Sequence, residues 1–95
     1  MILIGDIGNT DTKICLIDSN YKIVKRLVFS SKNNNKNLLI KFFKLFLKKN
    51  TNIKKSLFCS VVPKQFLTIS SLLKKKFRID CVELKKLNLN KIMKI

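Results

Sequence analysis

The chain has 95 residues, 46% of them hydrophobic and 27% charged, with a formal net charge of +16. That length allows one small domain burying about 60–65% of its unfolded surface, and the apolar content argues against disorder. The charge does not by itself name a nucleic-acid partner: 19 of the 21 basic residues are Lys, ten residues are Asn, and Ala, His and Trp are missing, a bias of AT-rich codons carried on a solvated surface.

Met1-Ile2-Leu3-Ile4 begins a dense aliphatic run that reads as a buried strand, about Ile2–Ile7. Asp6 lies inside it, and a carboxylate there is costly to desolvate unless something pairs with it. Gly8-Asn9-Thr10 then makes a tight turn into a second strand, about Thr12–Asp18. Asp18-Ser19-Asn20 turns the chain into a third, half-exposed strand, about Tyr21–Phe29. After the polar stretch Ser30–Asn37, Asn35 or Asn37 is placed to cap a helix that runs to about Lys49. Leu39, Phe42, Phe43 and Phe46 share one face of that helix and Lys41, Lys44 and Lys48 another, and Asn50-Thr51-Asn52 ends it. Ser56–Val62 is apolar enough for a central, parallel fourth strand. Pro63 suits the first position of a second helix, in which Phe66, Ile69, Leu73 and Phe77 recur at helical spacing. Ile79–Leu84 reads as a fifth strand, and the tail Lys85–Ile95 has no clear period.

The order β-β-β-α-β-α-β predicts an α/β domain whose mixed sheet is covered by helices. It resembles the ribonuclease-H-like half-domain, which is also the lobe of the actin-like sugar-kinase ATPases. On that likeness residues 1–84 form an N-terminal ATPase lobe. Residues 85–95 are a tail leading towards a second lobe, so the fold is incomplete at the C-terminus.

A hairpin turn explains Gly8 and Asn9 without any ligand. It explains neither Asp6 within the strand nor Thr10 directly after the turn. A phosphate cradle explains both. Asp6 then holds magnesium through water, and the turn amides donate to phosphate oxygens with the Asn9 and Thr10 side chains. Gly8 lets the backbone approach, and Lys13 adds positive charge. Other phosphate loops are excluded, because Gly5 and Gly8 are the only glycines and the turn leads into a strand. Cys15, Cys59 and Cys81 lack paired spacing and a His partner, which points to reduced, buried thiols in the cytoplasm. The N-terminus shows no basic leader pattern, and Lys41 and Lys44 break the longest apolar stretch, Leu38–Leu47. The basic helix reads as a core helix with a solvated stripe, not as a membrane or nucleic-acid surface.

Residues Met1–Lys13 resemble the opening of the type III pantothenate kinases, an apolar strand followed by Asp-x-Gly-Asn-Thr. Cys59-Ser60-Val61-Val62-Pro63 is similar to that family's Ser-Val-Val-Pro segment, at the family's usual separation. The resemblance implies ATP-dependent phosphorylation of pantothenate, the first step towards coenzyme A. It makes Asp6, Ile7, Gly8, Asn9, Thr10, Asp11, Thr12 and Lys13 the ATP phosphate-binding segment, with Asp6 on the metal. It also implies magnesium, a monovalent cation (potassium or ammonium) and a homodimer, with no nucleic-acid or membrane partner. No Asp-Arg pair is present and no Gly follows Gly8, so the family's general base and second phosphate segment are expected after Ile95. On this reading the chain alone is an inactive N-terminal half. The alternative is a non-catalytic nucleotide-binding or regulatory protein on the same fold.

Overall fold

The structure, a computed structural model, describes residues 1–48, 53 and 55–84. The chain runs β1 (Ile2–Ile7), β2 (Asp11–Ile17), β3 (Ile23–Ser30), α1 (Lys36–Phe46), β4 (Lys55–Ser60), α2 (Pro63–Leu72) and β5 (Asp80–Glu83), the order expected. The strands form one sheet in the order β3-β2-β1-β4-β5. β2 is antiparallel to both β1 and β3, while β4 is parallel to both β1 and β5. β1 therefore holds the centre, and β4 lies beside it with parallel neighbours on both sides.

Period-two alternation sends Leu3, Ile7, Ile14, Leu16, Phe29 and Phe58 to one face of the sheet. There they pack against Leu39, Phe43 and Phe46 of α1 and Ile69 and Leu72 of α2. The cluster on the other face, Ile4, Ile17 and Cys59 with Cys15 and Ile23, has no helical member. Handedness gives the reason. Both crossovers, β3-α1-β4 and β4-α2-β5, advance across the sheet in the same direction, and right-handed crossovers advancing one way put their helices on one face. Among the described residues, then, helices cover the sheet on one side only.

Local chemistry sets the element ends. Asn35 is the cap of α1, its Oδ1 accepting the Leu38 amide at 3.2 Å. At the far end Lys25 Nζ, from β3, donates to the Phe46 carbonyl at 3.2 Å. β3 starts at Ile23, two residues later than expected, because the preceding turn takes up Tyr21 in the left-handed region (φ 61°). Asp18 Oδ1 organises that turn by accepting the amides of Asn20 (2.8 Å) and Lys22 (3.0 Å). β4 stops at Ser60, short of the expected Val62, for the hydroxyl reason given below. After Leu72 the helix widens into a π turn, Leu73–Phe77, that Arg78 closes at φ 56°. Lys74 in this turn pairs with Asp80. The expected helix stop at Asn50-Thr51-Asn52 and the tail Lys85–Ile95 lie outside the described residues.

None of the three cysteines forms a disulfide. Burial pushes the Cys15 and Cys81 thiols up from their ordinary 9.0; at Cys81 it outweighs the hydrogen bond from Ser56 Oγ, 3.0 Å from the sulfur. The folded state thus favours the neutral thiol. That contribution is complete below the ordinary value and is lost as pH rises above it. The native chain should therefore alkylate with iodoacetamide at pH 8 more slowly than the urea-unfolded chain. Equal rates would show that the thiols are open.

Candidate phosphate-binding site

β1 and β4 are parallel neighbours, so their carboxyl ends reach the same edge of the sheet. From β1 the chain turns towards β2 on one side; from β4 it crosses to β5 on the other. The gap between those ends is a topological switch point, the place where open α/β sheets bind ligands. One backbone bond spans it, from the Val61 amide to the Ile7 carbonyl at 3.0 Å.

Asp6 sits one residue before the end of β1, half-buried. Alternation turns it to the face without helices, with Lys13 of β2 opposite on one side and Cys59 of β4 on the other. Among the described residues no hydrogen-bond donor or cation pairs with its carboxylate. The described residues also contain no group of three His, Cys, Asp or Glu side chains that could hold a metal. A single open carboxylate does not suit zinc. It does suit magnesium, which keeps several waters and takes one or two carboxylates plus phosphate oxygens.

The adjoining turn is short of internal partners. The Gly8 amide donates to the Asp11 carbonyl at 2.9 Å, which closes the hairpin and occupies that amide. The reciprocal bond is not made, and the amides of Asn9, Thr10 and Asp11 meet no acceptor among the described residues. All three residues are exposed. Three successive donors beside an unpaired carboxylate are matched to phosphate oxygens with a cation between them. Gly8 has a steric reason as well, since a Cβ there would lie 3.1 Å from the Asp11 carbonyl oxygen.

The eight residues of the expected segment divide by face. Asp6, Asp11 and Lys13 share the face without helices, and Asn9 and Thr10 form the exposed tip. Ile7 and Thr12 are fully buried on the helix side, where Thr12 Oγ1 meets Ser31 Oγ at 2.8 Å. They can offer a ligand backbone groups only. Ser60 is structural: its hydroxyl accepts the Val62 amide at 3.0 Å and donates to the Val62 carbonyl at 2.9 Å, turning the chain off β4 and into α2.

Three supporting residues carry no signal in the sequence. Gly5 admits the ring of Phe58 from β4, which a Cβ would approach to 2.1 Å. Ser31 and Gln65 are buried, with 6% and 5% exposure, and bond to segments far from them in the chain. Nothing in a polar loop or an amphipathic helix marks them out beforehand.

A solved structure with this fold is the Lmo2764 protein from Listeria monocytogenes, provisionally assigned as an N-acetylmannosamine kinase. It matches with a TM-score of 0.62 at 13% identity, over 97% of this chain and 38% of that one. The fold is therefore that of the sugar-kinase-like ATPases. A family model for type III pantothenate kinases matches residues 2–95. The type III pantothenate kinase of Pelagibacter ubique (strain HTCC1062) is 52% identical over 95 residues, which are all of this chain and 38% of the relative. The chain belongs to the type III pantothenate kinase family. It spans 38% of the length of that curated relative.

Proposed function

We propose that residues 1–84 are the ATP-binding lobe of a kinase that transfers the terminal phosphoryl group of ATP to pantothenate, opening the route to coenzyme A. The observation that carries this reading is the Asp6 carboxylate beside three turn amides at the switch point, none of them paired among the described residues. Asn9, Thr10 and Asp11 donate backbone N–H groups to the phosphates, and Lys13 places a cation on the same face as Asp6. Asp6 is the residue that would hold magnesium, through water, and the ion supplies charge neutralisation when bound. A monovalent cation, potassium or ammonium, a homodimer and a cytoplasmic setting belong to the same reading by family likeness.

The nucleophile must also lose a proton, and the carboxylates of this lobe are badly placed for that. Asp18 is engaged in its turn, and Asp80 is paired with Lys74. Both lie at the opposite edge of the sheet from Gly8. Glu83 is two strands from β1, and Asp11 lies at the turn on the face it shares with Asp6 and Lys13, where this reading places the phosphates and the metal. The base is therefore assigned beyond Ile95. The test is pantothenate-dependent ADP release with magnesium and potassium, from residues 1–95 and from the longest reading frame that contains them. Turnover is expected from the long frame and none from residues 1–95. No turnover from the long frame would refute the reading. Turnover from residues 1–95, abolished by Asp6→Asn, would place the base among Asp11, Asp18, Asp80 and Glu83.

A further inference from the structure

The exposed turn at Gly8–Thr10 is short, glycine-containing and only half bonded to itself, yet a phosphate site needs its donors held in one direction. Its two ends are gripped from outside. On the β1 side the Val61 amide holds the Ile7 carbonyl at 3.0 Å; on the β2 side the Ser31 amide holds the Thr10 carbonyl at 2.9 Å. These two grips belong to segments 30 residues apart, and Gln65 joins them. Four residues after Val61, its Nε2 donates to the Asn33 carbonyl at 2.9 Å, two residues after Ser31. The result is a closed ring: Ile7 to Val61, along the chain to Gln65, across to Asn33, back to Ser31, across to Thr10, and through the turn to Ile7.

Each link is protected. Thr12 (0% exposed) and Ser31 (6%) share a hydroxyl–hydroxyl bond of 2.8 Å, and Gln65 is 5% exposed. The Asn33 loop is stiffened by its own bonds, from the Asn33 amide to the Ser30 carbonyl at 3.1 Å and from the Asn35 amide to Asn33 Oδ1 at 3.1 Å. The ring also controls direction. In a trans peptide the C=O and N–H point opposite ways, so fixing the Thr10 carbonyl fixes the aim of the Asp11 N–H. That amide is one of the three unpaired donors.

We infer that Ser31 and Gln65 are positioning residues for nucleotide phosphates, holding the turn amides in their binding direction through this ring. The inference rests on the proposed function in taking the ligand to be a magnesium-bound nucleoside triphosphate. Neither side chain touches the ligand. The Ser31 hydroxyl acts through its bond to Thr12 Oγ1, which seats the Ser31 amide on the Thr10 carbonyl, and Gln65 acts through Asn33.

The test uses the 95-residue chain and MgATP as probe, with affinity from calorimetry, melting temperature, and amide hydrogen exchange of Ser31 and Val61, the two donors that grip the turn. Ser31→Ala and Gln65→Leu should each weaken MgATP binding about five- to tenfold and speed exchange of these two amides, with β1 and β2 core amides unchanged. Ser31→Thr, which keeps the hydroxyl, should bind like the parent. Ser56→Ala is the control: that hydroxyl is equally buried (0% exposed) but bonds to the Asp80 carbonyl at 3.2 Å, at the far edge of the sheet. It should lower the melting temperature and leave MgATP affinity unchanged. Parent-like affinity in Ser31→Ala and Gln65→Leu would overturn the inference while leaving the nucleotide reading intact. A parent that does not bind MgATP would overturn the nucleotide reading. Unchanged exchange of the Ser31 and Val61 amides in the variants would then overturn the ring's positioning role as well.

Discussion

Replacing Gly5 with Ala should lower the melting temperature of the chain by about 12–24 °C, taking about 3 kcal/mol for overpacking and about 4–8 °C per kcal/mol in a domain of this size. Gly5 faces the helix side in the central strand, directly opposite Phe58 of β4. An added Cβ would stand 2.1, 2.4 and 2.7 Å from three atoms of the Phe58 ring. The ring cannot swing clear, because Phe58 is fully buried in the main core and packs against the tilted ring of Phe66 of α2, centroids 6.1 Å apart. Gly5 has no positive φ, so its requirement is for space and not for backbone freedom. The whole domain is expected to have about 5–14 kcal/mol of stability, of which such a clash removes a large part. Adding Phe58→Leu to Gly5→Ala should recover some of the loss, a coupling that thermal melts of the single and double variants measure directly. A Gly5→Ala variant melting within a few degrees of the parent would show that the β1–β4 contact is loose.

Asp6→Asn should reduce kcat/KM of the complete kinase about 100- to 1,000-fold, the scale of losing one main electrostatic contact in a phosphoryl-transfer site. Asn has the same shape as Asp, and the Asp6 carboxylate makes no bond within the described chain, so folding loses nothing by the change. The melting temperature should therefore stay within about 2 °C of the parent. The charge is what disappears, the anion that stands opposite Lys13 near the end of β1. Unchanged activity with a lowered melting temperature would make Asp6 a structural residue and remove the basis of the site.

The strands and helices were legible because their signals are local. The aliphatic run at Ile2–Ile7 and the three-to-four spacing of Leu39, Phe43 and Phe46 need no partner to be read. Pro63 and the Asn35 cap likewise carry their meaning alone. Boundaries failed where a side chain overrode propensity. Val61 and Val62 look like strand, but the Ser60 hydroxyl turns the chain before them. Tyr21 looks like strand, but the Asp18 turn holds it at positive φ. The π turn at Leu73–Phe77 leaves the helical spacing of Leu73 and Phe77 nearly unchanged, so periodicity could not show it. In the site, Asp6 and the Gly8-Asn9-Thr10 turn were legible as an acid out of place followed by a glycine turn. Gly5, Ser31 and Gln65 were not, because their reasons are contacts with Phe58, Thr12 and Asn33, set by register and crossover and not by neighbours in the chain.

The central claim is that the open edge after β1 receives nucleotide phosphates. It is tested most directly by titrating the isotope-labelled 95-residue chain with MgATP and following each backbone amide by NMR. Saturable shifts should centre on Asn9, Thr10 and Asp11, and Asp6→Asn should abolish them. Shifts spread over the exposed lysines of α1, or none at the turn, would contradict it.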